Sequence, residues 1–102
     1  MRIIKPARIR EFATQYPLAA AALERWLDSA KDARWSSLMD VRKVFRAADQ
    51  VRVASGRTVV VFNIKGNDFR LITAIHYNHG KVFVLLFLTH AEYSKDAWKG
   101  IL

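Results

Sequence analysis

From Arg57 to Thr89 the chain is three strand-length apolar runs in close succession. Arg57–Ile64 and Phe69–Tyr77 are separated around Gly66-Asn67, and Phe69–Tyr77 and Lys81–Thr89 by a turn around His79-Gly80. Gly-Asn suits a two-residue hairpin loop, where the central residues often need φ > 0. Runs joined so tightly cannot make parallel crossovers, which need a dozen residues or more, so they fold as an antiparallel meander. Gln50–Ser55, ahead of Gly56, reads as one more strand.

The first half carries helical spacing instead. Met1–Ile4 is a short first strand. Ile9, Phe12, Ala13 and Tyr16 recur at helical intervals, so Pro6–Gln15 reads as helix. Pro17 suits the first turn of a second helix, which aligns Leu23, Trp26, Leu27 and Ala30 and ends near Ala33. A short third helix follows, with Leu38, Val41, Val44 and Phe45 inward and Arg42, Lys43 and Arg46 outward. His90–Leu102 reads as a terminal helix or irregular tail. The expected class is α+β: a short N-terminal strand, two to three helices, then a meander with the helices on one face.

At 102 residues, 52% of them hydrophobic, the chain suffices for one domain with one core, residues 1–102. The longest apolar run, Val82–Leu88, is about a third of a membrane-spanning helix, and Met1–Pro6 lacks a signal-peptide stretch. No membrane partner is expected. The absence of cysteine excludes disulfides, thiolate metal sites and cysteine nucleophiles, and fits a cytoplasmic protein. Seventeen basic residues against nine acidic give a net charge of +8, with a polyphosphate as the natural counterpart. The cations are scattered rather than run together, which favours nucleic acid or ribosome over lipid.

Tight turns fix a register. With Gly66-Asn67 central, Asn63 lies opposite Arg70; with His79-Gly80 central, Asn78 pairs with Lys81 and Arg70 with Thr89. Alternation then separates two faces. One carries Val60, Phe62, Ile64, Phe69, Leu71, Ile75, Tyr77, Val82, Val84, Leu86 and Leu88, and should pack on the helices. The other carries Val59, Val61, Ile72, Ala74, Phe83, Leu85 and Phe87, and should meet a partner or another part of the chain. At one end of that second face sit Asn63, Lys65, Asp68, Arg70 and Thr89, with His90 just beyond; His76 is at the far end.

Arg70 and Lys65 can hold phosphate, Arg bidentately and Lys as a point charge. His90 carries an imidazole, a group that can take or give a proton. Tyr93 can stack on a base, donate a hydrogen bond or act as a weak acid, and helical spacing puts it on the His90 face. A base, cations and an acid are what RNA cleavage by 2′-OH attack needs without a metal. No ligand-type spacing, serine motif or phosphate-binding glycine loop appears, so no metal or cofactor is expected. His76 and His79 read as structural or turn residues, Trp26 and Trp35 as core or interface, and Trp98 as an anchor for the tail.

Val-Phe-Asn-Ile-Lys-Gly-Asn-Asp-Phe-Arg-Leu-Ile (Val61–Ile72) and Leu-Thr-His-Ala-Glu-Tyr-Ser-Lys-Asp-Ala-Trp-Lys (Leu88–Lys99) closely resemble HigB-type toxins, within the RelE-like group. The stretch Trp35–Phe45 is similar too, and the most specific part is N-I-x-G-N-x-[FY]-R followed by T-H-x-x-Y. The resemblance implies an mRNA interferase acting on the ribosome and neutralised by a helix-turn-helix, HigA-like antitoxin. Operator DNA would be bound only through the complex. It directs attention to Asn63, Lys65, Gly66, Asn67, Arg70, Thr89, His90, Tyr93 and Lys95, with Gly66 a turn requirement. The catalytic candidates are Arg70, His90, Tyr93 and Lys65; the RNA-binding candidates are Asn63, Asn67, Thr89 and Lys95. Leu85 stands where relatives often carry a cation, and Ser94 where they often carry Asp. Those departures keep alternatives open: a non-catalytic RNA- or ribosome-binding module, or an antitoxin-binding module on the same scaffold.

Overall fold

A computed structural model describes all 102 residues. The chain runs β1 (Arg2–Ile4), α1 (Ala7–Gln15), a 3-10 turn (Pro17–Ala19), α2 (Ala20–Asp32), α3 (Leu38–Val44), β2 (Asp49–Arg52), β3 (Thr58–Ile64), β4 (Phe69–His76), a 3-10 turn (Tyr77–His79), β5 (Lys81–Thr89), α4 (His90–Ser94) and a last 3-10 turn (Ala97–Gly100). The strands form one sheet in the order β1-β5-β4-β3-β2. Strands β2 to β5 are the expected antiparallel meander, and β1 joins the edge of β5 in parallel, Ile3 beside Val82. The fold is α+β, as the sequence pattern implies.

One face of the sheet packs on the helices. Leu23, Trp26, Leu27 and Ala30 of α2, Ile9 of α1 and Val41 of α3 meet Val60, Phe62, Ile64, Leu71, Val82, Val84 and Phe87. Phe62 is the centre of an aromatic group, 5.4 Å from Trp26 and 5.1 Å from Phe45 between ring centroids. Burying such a side chain contributes about 1.5–3 kcal/mol. Thr73 is the one fully buried polar residue, and its hydroxyl donates to the Val60 carbonyl at 3.0 Å, so it costs little to bury.

The first hairpin has the expected register, Asn63 opposite Arg70. The second does not. Its turn takes in Tyr77 to Gly80, with Gly80 at φ +62°, so His76 rather than Asn78 lies opposite Lys81. This shift is even and leaves the faces near the turn as expected. Further along, Thr73 pairs with Val84 but Ile72 pairs with Leu86, so Leu85 is an extra residue in β5. Such a bulge reverses the alternation beyond it. Phe87 therefore packs on the helices, and Leu86 and Leu88 border the cluster on the second face, opposite to expectation. Arg70 lies opposite Leu88, and Thr89 pairs with Phe69 instead.

The second face also has a cover. Val53, Val59, Val61 and Ile72 pack with Trp98 from the C-terminal 3-10 turn, and Tyr93 and Leu102 border the group. The Ala54 N–H donates to the Lys99 carbonyl at 3.0 Å and ties that tail to the loop between β2 and β3.

Candidate active site

The site is built around the turn from Lys65 to Asp68. Lys65 and Gly66 both take left-handed backbone angles, φ +54° and +64°, and the Asp68 N–H closes on the Lys65 carbonyl at 3.2 Å. Glycine adopts this conformation freely and lysine at some cost, so the strain falls on Lys65. The bend turns two carbonyls toward the site. The Asn67 carbonyl accepts from Arg70 Nη1 at 3.0 Å, and the Asp68 carbonyl accepts from the His90 N–H at 2.9 Å. One turn thus positions Arg70 at the start of β4 and His90 at the start of α4.

Arg70 is held closely. Nη1 also donates to the Phe69 carbonyl at 3.0 Å, and the guanidinium carbon lies 5.4 Å from the centroid of the Tyr93 ring. Asn63 Nδ2 donates to Asn67 Oδ1 at 3.4 Å across the same turn. Arg70 has no carboxylate partner; Asp68 pairs with Lys65 at 3.2 Å instead. Its charge is therefore available to an anion. Lys65 is the less available cation, since a bound phosphate would compete with Asp68.

The short helix α4 is fixed by a capping box. Glu92 N–H donates to Thr89 Oγ1 at 3.2 Å, and Thr89 N–H donates to Glu92 Oε1 at 2.9 Å. Thr89 is thus a helix cap on the Phe69 side of the sheet, not a neighbour of Arg70. Glu92 is thus the reciprocal acceptor of the cap. The pattern Thr-x-x-Glu was the signal that could have found this role.

The helix carries His90 and Tyr93. His90 is exposed, and its Nδ1 lies 3.4 Å from the hydroxyl of Ser94, which donates to the His90 carbonyl at 2.9 Å. Ser94 thus steadies the imidazole's Nδ1 side, and no protein group engages Nε2. Tyr93 is half-buried. Burial, with the Asp49 carboxylate, pushes its phenol pKa above the usual value; Lys99 and Arg70 pull it back in part, and Asp96 adds to the rise. The phenol is accordingly a donor near neutral pH. Lys95 closes the helix, exposed and without an ion pair.

The gathered set is therefore Asn63, Asn67, Arg70 and Tyr93 in direct contact, with His90 joined through the main chain. Lys65 and Lys95 border it, and Thr89 faces away. Leu85, the bulged residue, is apolar on the same face as Arg70, so no cation stands there. No group of three or more His, Asp and Glu side chains gathers anywhere in the chain.

A cation against a phenol ring, with an imidazole one helical turn away, is an arrangement chemically able to engage a phosphodiester. Residues 19–96 match a family model described as a RelE-like toxic component of a toxin-antitoxin system, HigB toxin. An mRNA interferase HigB of Escherichia coli O6:H1 is 30% identical over 95 residues, covering 93% of this chain and 90% of that protein. The chain belongs to the HigB toxin family of RelE-like toxins, and the partner of such a toxic component is its antitoxin.

Proposed function

We propose that the chain is an endoribonuclease that cuts mRNA on the ribosome without a metal ion, residues 1–102 acting as one domain in the cytoplasm. Arg70 holds the scissile phosphate and Lys65 adds charge beside it. His90 takes the proton from the ribose 2′-OH, which attacks the neighbouring phosphorus. The bond to the 5′ oxygen breaks, leaving a 2′,3′-cyclic phosphate, and Tyr93 supplies the proton that the 5′ oxygen needs. Asn63, Asn67 and Lys95 line the path of the RNA. The antitoxin is a helix-turn-helix protein, through which alone the complex meets operator DNA.

The observation that carries this reading is the Arg70 guanidinium against the Tyr93 ring, braced by two carbonyls and without a carboxylate partner. Preorganised charge of this kind is the largest single contribution to many such reactions. The name of the E. coli relative, an mRNA interferase, supports the substrate. Leu85 favours a second reading, a ribosome-binding module without cleavage, because it removes a cation from the Arg70 face.

The test is induced expression with mapping of mRNA 5′ ends, for wild type and Arg70→Ala. New cuts and growth arrest, both lost in the variant, are expected. Arrest with no cuts would establish the binding module. No effect on growth or RNA, with tight binding of the neighbouring gene's product, would leave an antitoxin-binding module.

A further inference from the structure

Tyr93 stands on a helix of five residues, His90–Ser94, too short to hold a side chain by itself. Its ring has a second support. The Trp98 indole stacks on it with centroids 5.2 Å apart and planes 19° from parallel, and Trp98 Nε1 donates to the Tyr93 carbonyl at 3.0 Å. Trp98 is 4% exposed and rooted among Val53, Val59, Val61 and Ile72 on the sheet. Asp96, at φ +60°, turns the chain so that the indole can return to its own helix. Arg70 touches the Tyr93 ring and the Lys99 ammonium lies 5.8 Å from the Trp98 ring, so a continuous run of contacts leads from the sheet interior to the free guanidinium.

We propose that Trp98 is a positioning residue for RNA cleavage: its indole fixes the Tyr93 ring, and through it the Arg70 guanidinium, in the orientation the reacting phosphate meets. This rests on the reading of Tyr93 and Arg70 given above. Trp98 lies outside residues 19–96, the segment that matches the family model. A phenol freed to leave its rotamer would spend most of its time out of reach of the 5′ oxygen, and misplacement by about 1 Å can cost about 10²-fold in rate. Filling the apolar cluster needs only volume, whereas holding an aromatic ring in register needs a flat partner.

That difference sets the experiment. Cleavage of message on programmed ribosomes is measured at single turnover for wild type, Trp98→Phe, Trp98→Leu and Tyr93→Phe, giving a maximal rate and a half-saturating toxin concentration. Trp98→Leu is expected to lose about 10- to 100-fold in rate with little change in half-saturation, and Trp98→Phe to recover most of it. Both variants lack the indole N–H, so their difference isolates the stacking. Equal rates for Phe and Leu, with Tyr93→Phe impaired, overturn the positioning role and leave the catalytic reading intact. Full activity of Tyr93→Phe overturns the phenol's role as acid, and equal rates for Trp98→Phe and Trp98→Leu then overturn positioning as well. If Trp98→Leu does not fold, the Tyr93 ring protons decide: they should be shifted upfield in wild type and Trp98→Phe, and unshifted resonances in wild type overturn the proposal.

Discussion

Arg70 and Tyr93 face each other as cation and ring, guanidinium carbon to centroid 5.4 Å. The Asn67 and Phe69 carbonyls hold the same guanidinium through Nη1. A planar cation can satisfy the carbonyls, the ring and a phosphate together; an ammonium cannot. Arg70→Ala should therefore lower cleavage of ribosome-bound message about 10²- to 10³-fold. Arg70→Lys should recover no more than about a tenth of the wild-type rate. Wild-type cutting by the lysine variant would show that a point charge is enough.

Tyr93 and Tyr77 both have phenol pKa values raised above the usual 10.0, by burial first in each case. Asp40 adds to the rise at Tyr77. A raised folded-state pKa means that, above the unfolded value, the unfolded chain has lost protons which the folded chain still holds. The slope of stability against pH is then negative. The contribution is complete below about pH 10 and is lost as pH rises through the folded values. The denaturant midpoint should therefore fall above about pH 10, and the fall should be smaller in Tyr77→Phe and Tyr93→Phe. A midpoint as steep in the double variant as in wild type would assign the loss to other groups.

Thr89 and Glu92 close the capping box that starts α4. Thr89→Ala removes the acceptor for the Glu92 N–H and should cost about 1 kcal/mol, with Thr89→Ser costing far less. Because α4 is short, the cost should appear as local opening: faster hydrogen exchange at Glu92 and Tyr93 with the core amides unchanged. His90 and Tyr93 ride on this helix, so cleavage should fall severalfold in the alanine variant and recover in the serine variant. Unchanged exchange at Glu92 would remove the basis for that link.

Legibility in the sequence followed the local signals. Gly66-Asn67 sits between alternating strands, so the first hairpin and the pairing of Asn63 with Arg70 could be read directly. The run Val82-Phe83-Val84-Leu85-Leu86-Phe87-Leu88 is apolar throughout, so alternation within it carries no information about which residue is extra. That is why the bulge at Leu85 was hidden, and with it the sides taken by Phe87, Leu88 and Thr89. The parallel pairing of β1 with β5 was equally hidden, since three residues carry no mark of their partner. The nearness of Arg70 to His90 and Tyr93 was legible from the first hairpin's register and the helical spacing of His90 and Tyr93. The indole of Trp98 against Tyr93 was not, because it depends on a positive φ at Asp96 that no glycine announces.

The bulge itself can be tested by deletion. Val84 and Phe87 face the helices while Leu85, Leu86 and Leu88 border the other face. Removing Leu85 leaves Val84, Leu86, Phe87 and Leu88 in plain alternation, each on the side it already occupies. The deletion should therefore fold, with a melting temperature lowered by no more than about 5–10 °C, equivalent to about 1–2 kcal/mol. Deleting Ile72 from the facing strand offers no such repair: it would turn part of β4 inside out and should abolish cooperative melting. Folding is not the only property at stake, because a bulge adds twist to its strand. β5 leads directly into Thr89 and α4, so the straightened strand should carry His90 and Tyr93 away from Arg70. The Leu85 deletion should then be a folded chain whose cleavage is reduced about tenfold or more. Thermal melts and single-turnover cleavage on the same preparation check both halves, and a variant that folds and cuts at the wild-type rate would free the bulge from any part in the site.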